Sequence, residues 1–126
     1  GKKGNVVVMK QNDARMFDLR KKRGTRGQLV DETTGAHNVD VHINTIYPNP
    51  EEGLLHYHKI RENVYFVLEG KIFINTSEGK LTVNTGEIAF IPAGTHHAVW
   101  NAGDVDARIL EIYAPCVEND FYEVKA

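Results

Sequence analysis

Apolar and polar residues along this chain alternate with the two-residue period of a half-buried strand, and stretches with the helical period are nearly absent. The alternating segments are short, rich in Val, Ile, Phe and Tyr, and separated by clusters of Gly, Asn, Asp and Pro. Such punctuation suits successive hairpins, because glycine and asparagine tolerate left-handed backbone and proline presets a turn. The clearest strands are predicted over residues 39–47, 54–58, 63–68, 71–75, 80–83, 88–91, 96–101 and 107–113. Upstream, residues 5–9, 15–19 and 28–31 also read as strands, lying at a sheet edge or forming a swapped arm. With about nine to eleven strands and little or no helix, the fold class is all-β, a sandwich or barrel.

The 126 residues suffice for one domain with its own core. A formal net charge of −2 with 25% charged residues gives no pull toward nucleic acid, and the longest apolar runs, 6–9 and 64–68, are too short to span a bilayer. The expected partners are therefore a small molecule and a second copy of the chain, not nucleic acid or membrane. The lone Cys116 cannot form an internal disulfide, which together with the missing apolar leader points to the cytoplasm. No basic residue beside Cys116 lowers its thiol pKa, so it reads as structural.

Candidate chemistry begins with His56 and His58. Residues i and i+2 of a strand share a face, so both imidazoles can address one point, and neutral imidazole is the commonest protein ligand for transition metals. A third histidine, His97, follows the Pro92-Ala93-Gly94 turn, and its neighbour His96 must face the opposite way, exposed or packed. The run from Arg20 to Arg26 is the one basic cluster. It reads first as a solvated loop; alternatively Arg23 or Arg26 overhangs a barrel mouth and clamps a substrate carboxylate or phosphate.

These residues resemble the cupin superfamily. Its second motif, G-x5-P-x-G-x2-H-x3-N, is met at every fixed position by Gly86, Pro92, Gly94, His97 and Asn101. The first motif, H-x-H-x(3 or 4)-E-x6-G, is met at His56, His58 and Gly70, but its acidic position is ambiguous. Counting from His58 gives Glu62; counting back from Gly70 gives Asn63, and the two cannot both face inward on one regular strand. The closing Gly70 favours Asn63, with Glu62 as the alternative ligand. Asn63 can otherwise serve as a hydrogen-bonding residue behind three histidines.

The resemblance implies a double-stranded β-helix, or jelly roll, with a strand-forming arm over 1–37, the barrel over 38–114 and a tail over 115–126. It also implies one divalent transition metal (Fe, Ni, Mn or Zn) on His56, His58, His97 and Asn63, and a homodimer. The function it implies is an enzyme acting on a small oxygenated substrate by isomerase, lyase or dioxygenase chemistry. Small cupins with an amide in place of the acidic ligand include uronate-type sugar isomerases, and three-histidine ones include diketone dioxygenases. The rival is a small-ligand-binding or regulatory module without chemistry, favoured by the lack of a convincing inward carboxylate near the histidines. Tyr65, on the parity of Asn63, is a candidate to orient substrate, and Glu62 or the remote Glu69 a candidate base. Tyr47, Phe73 and Phe90 are read as core or pocket lining, and Trp100 as packing or a dimer contact. An Asn63→Asp change is expected to tighten metal binding if Asn63 is a ligand.

Overall fold

The computed structural model describes residues 5–48 and 52–125, and each of the eight clearest predicted segments overlaps a strand. In chain order these are β1 (Arg15–Asp18), β2 (Gly24–Val30), β3 (Asp40–Ile46), β4 (His56–Tyr57), β5 (Glu62–Glu69), β6 (Lys71–Thr76), β7 (Gly79–Asn84), β8 (Ile88–Ile91), β9 (Ala98–Asn101), β10 (Ala107–Ala114) and β11 (Tyr122–Glu123). The only helical pieces among the described residues are single 3₁₀ turns at Gln11–Asp13, Arg20–Lys22 and Glu32–Thr34. No helix among them is long and apolar enough to cross a membrane.

Two layers enclose the interior. One is a six-stranded antiparallel sheet in the order β1-β2-β3-β10-β5-β8. The other comprises β7-β6-β9 and the pair β11-β4, joined where His56 and His97 bridge the gap. This is the jelly roll expected from the sequence.

The ends of the chain depart from expectation. Residues 5–9 form no strand, and β2 begins at Gly24, four positions before the predicted start at 28. A Cβ at position 24 would lie 1.8 Å from the carbonyl oxygen of Thr45, so only glycine lets β2 approach β3 here. The basic cluster is thereby divided between a turn at Arg20–Lys22 and a strand carrying Arg26. At the other end, β11 lies within the segment read as a tail and pairs with β4.

The interior changes character along each strand. At one end Ile46, Val67, Ile72, Ala107 and Ile109 are buried together, and Val67, Ile72 and Ala107 have no exposed surface at all. Burying a Val or Ile side chain in this way stabilises the fold by roughly 2 kcal/mol. Two or four residues further along the same inward faces stand His42, Glu111, Tyr65, Tyr113 and Asn63. Register places Glu111 between His42 on β3 and Tyr65 on β5, so the polar end of the barrel is assembled by strand pairing.

The outer face of the large sheet is apolar in two registered rows. Met16, Gly27, Ile43, Leu110, Phe66 and Ile88 lie side by side across all six strands. Val30, Val41, Ile112, Val64 and Phe90 form the second row. Phe90 is on this outside face and Tyr47 is also exposed, so neither lines the interior. Phe73 and Trp100 pack on each other, ring centroids 5.4 Å apart, away from the histidines.

Candidate metal centre

The structure brings His56, His58 and His97 together, with one candidate ligand atom from each within 4.8 Å of the others. Backbone pairing does this: His56 and His97 exchange both main-chain hydrogen bonds, at 3.0 and 2.8 Å, and β4 geometry returns His58 to the same side. His97 and His58 are buried, and His56 is half-buried at the wall of a cavity.

Each ring is held in one tautomer. Nδ1 of His56 donates to the carbonyl of Leu54 at 2.8 Å, Nδ1 of His97 to that of Thr95 at 2.8 Å, and Nδ1 of His58 to that of Asp120. A carbonyl can only accept, so each Nδ1 carries the proton and each Nε2 presents a lone pair. Arg61 Nε lies 3.3 Å from the same His58 atom, and the closer carbonyl decides the tautomer. Burial, reinforced by neighbouring His56, drives the His97 pKa down to about 4, and burial lowers those of His56 and His58 as well. Nothing among the described residues hydrogen-bonds Nε2 of His58 or His97. Buried acceptors without partners are costly, and a cation satisfies all of them at once. The residues present therefore fit a transition metal.

Asn63 adds another such atom. It is buried, its Nδ2 donates to Tyr65 Oη at 3.2 Å and to Glu111 Oε2 at 3.1 Å, and its Oδ1 has no partner among the described residues. Glu62 does not offer the alternative ligand: it stands exposed at the start of β5, on the opposite parity from Asn63. Glu69 is likewise exposed, 3.9 Å from Arg108 on the outside, so neither glutamate can act as a base in the interior. Tyr65 is buried and lines the cavity, and its hydroxyl is engaged with Asn63 and Glu111.

Contrary to expectation, an inward carboxylate does stand near the histidines, that of Glu111. It accepts from His42 Nε2 at 2.7 Å, Asn44 Nδ2 at 2.9 Å and Asn63 Nδ2, and from the hydroxyls of Tyr65 and Tyr113. Burial alone would raise its pKa, but His42 and these hydrogen bonds outweigh that and hold it at about 2. His42 is buried between two carboxylates, its Nδ1 2.8 Å from Asp40. Burial disfavours its proton, yet the charge of Glu111 and the bond to Asp40 raise its pKa, and both ring nitrogens face carboxylate oxygens, an arrangement that suits a proton on each. The strand alternation of 107–113 did carry a signal, since Glu111 shares the inward parity of Ile109. An acidic residue at a core position needs partners, and that is how it could have been found.

Two further parts were not legible. Asp120 accepts backbone N–H bonds from Lys59, Ile60 and Arg61 at 2.8, 2.9 and 2.8 Å, while its own carbonyl holds His58. Phe121 stacks on His56 with centroids 4.7 Å apart. The cavity, about 580 Å³, is lined by His42, Asn44, His56, Tyr65, Glu111 and Tyr113, and edged by Arg20, Lys21, Arg23, Arg26 and Arg61. The basic cluster thus frames the mouth rather than forming a remote wet loop. His96 is exposed and stacks on Tyr57, as its parity required.

A β-jelly roll with three converging, tautomer-fixed histidines on its inner wall defines a class of small barrel proteins built around a candidate metal site. The cupin domain model matches residues 43–113, and the chain belongs to that family. Among solved structures, the polyketide cyclase RemF from Streptomyces resistomycificus superposes with a TM-score of 0.83 at 24% identity, over 97% of this chain and 87% of that one. A sugar phosphate isomerase of the cupin superfamily from Silicibacter pomeroyi gives 0.74 at 18% identity, over 86% and 75%. These likenesses establish the fold. An uncharacterised protein of Methanocaldococcus jannaschii is 35% identical over 65 residues, a match spanning 52% of each chain, or about half of that relative's length.

Proposed function

We propose that the protein is a metal-dependent enzyme acting on a small, oxygenated, acidic organic substrate, by isomerase or lyase chemistry. The observation that carries this reading is the set of buried, partnerless acceptors on His58, His97 and Asn63 beside the cavity wall formed by His56. A divalent transition ion held by His56, His58, His97 and Asn63 would supply a Lewis acid, and an amide donor leaves it more acidic than a carboxylate would. The residues of the chain bind and orient. Arg26, whose buried Nε has no hydrogen-bond partner among the described residues, offers the mouth a guanidinium for a substrate carboxylate or phosphate. Tyr65 and Tyr113 direct their hydroxyl protons at Glu111, which keeps the inner wall ordered. RemF is named as a polyketide cyclase and the Silicibacter pomeroyi protein as a sugar phosphate isomerase, names that suit this reading.

Stoichiometric metal in freshly purified protein, with metal-dependent deuterium uptake from D2O into hydroxy-ketone or keto-acid substrates followed by NMR, is the expected result. Oxygen consumption against diketones instead would make it a dioxygenase. The second reading is a ligand-binding module. It draws on the state of Glu111, whose oxygens are occupied by donors and which accepts no proton near neutrality. Metal-free, folded protein that is stabilised by an organic acid without turning it over would establish the module instead. A second copy is the proposed protein partner, seated on the two apolar rows of the large sheet, where Met16, Ile88 and Phe90 are more than half exposed.

A further inference from the structure

We infer that Glu111 is a positioning residue for the metal: it locks the Asn63 amide with its carbonyl oxygen toward the three histidines and supplies the negative charge that four neutral donors lack. This rests on the metal-site reading above. An amide side chain can present either end, and only its surroundings choose. Here both neighbours of Nδ2 demand a donor. Glu111 Oε2, at 3.1 Å, belongs to a carboxylate on which His42, Asn44, Asn63, Tyr65 and Tyr113 all converge, so it only accepts. Tyr65 Oη, at 3.2 Å, directs its own proton to that carboxylate and accepts from Asn63. Oδ1 must then face away from Glu111, where it is buried and without a partner among the described residues.

Charge leads to the same residue. Three imidazoles and an amide leave a divalent ion uncompensated in a buried site, which is costly. Asp40, His42 and Glu111 together hold one negative charge in excess, and Glu111 places it one side chain behind the donor set. Glu111 thus balances the ion without occupying a coordination position, leaving that position to substrate.

This reverses the expectation for Asn63→Asp. A carboxylate introduced there would stand against that of Glu111 at the distance of the present hydrogen bond, so the change weakens metal binding unless Glu111 is neutralised with it.

The test is a titration with Co2+ alone, read by its d–d absorption, on wild type, Glu111→Gln, Asn63→Asp and the double variant, with circular dichroism checking the fold. Wild type is expected to bind one equivalent. E111Q, whose amide no longer dictates the orientation of Asn63, is expected to lose roughly tenfold or more in affinity and to shift the absorption bands. N63D should bind more weakly than wild type, and the double variant roughly tenfold more tightly than N63D, because the amide introduced by E111Q can donate to the carboxylate introduced by N63D. Wild-type affinity and spectrum in E111Q, with no rescue in the double variant, would overturn the inference while leaving the metal site standing. Wild type that takes up no Co2+ would overturn both. Should E111Q not fold, Zn2+-loaded wild type decides by NMR. Nuclear Overhauser contacts from the Asn63 Hδ2 protons to Glu111 and the Tyr65 ring are expected, and contacts to the histidine rings instead would refute it.

Discussion

His56 and His97 are separated by four strands in the sequence, yet each donates its main-chain N–H to the other's carbonyl, and their rings meet with centroids 4.3 Å apart. The candidate site is therefore part of the ladder that joins the two halves of the second layer. Its histidines are positioned by backbone pairing, while the core that holds the barrel closed lies at the apolar end.

Removing a ring should empty the site without unfolding the protein. His56→Ala and His97→Ala are each expected to abolish metal retention, measured by elemental analysis after dialysis. The fold should persist by circular dichroism, with a cost of about 1–3 kcal/mol for the buried His97 ring.

Asp120 ties the C-terminal segment to the turn that follows His58. Asp120→Ala removes the acceptor of three backbone N–H groups and loosens the carbonyl that fixes the His58 tautomer. Stability in urea is expected to fall by about 2–3 kcal/mol, and metal affinity to fall roughly tenfold or more.

The stability of the metal-free protein should peak near the ordinary histidine pKa. His97 titrates at about 4 instead of 6.5, so the unfolded chain binds its proton first and stability drops as pH falls from 6.5 through 4. Glu111, at about 2 instead of 4.5, adds stability above 4.5 that is lost between 4.5 and 2. His42 acts oppositely: its raised pKa gives stability that is complete below 6.5 and lost as pH rises through the folded value. Thermal melts across pH, with E111Q flattening the lowest arm, check the signs.

The apolar rows on the outer face should be covered by a second copy. Phe90→Lys or Ile88→Lys is expected to convert a dimer to a monomer in light scattering while leaving the far-UV spectrum and metal content unchanged. A wild-type monomer would contradict this.

Strand alternation with glycine- and proline-marked turns made the all-β class legible but left sandwich and barrel open, and the jelly roll came from the resemblance carried by the two histidine motifs. The histidines were legible from the same alternation, since a strand fixes which of His56, Tyr57 and His58 share a face. Asn63 over Glu62 followed from counting back from Gly70, whose left-handed backbone anchors the end of β5. The parity of Glu111 showed only that it faces inward; its partners, like the roles of His42 and Asp120, were hidden because they lie far away in sequence and a single chain read in order does not show cross-strand register. β2 was misplaced because its start depends on close approach to Thr45, which is a tertiary fact.

X-ray absorption at the edge of whichever metal copurifies tests the central claim most directly. One equivalent of ion with the multiple-scattering signature of three imidazoles and lighter oxygen donors is the expected result. Protein that holds no ion and accepts none, or an ion whose spectrum lacks imidazole, would contradict it.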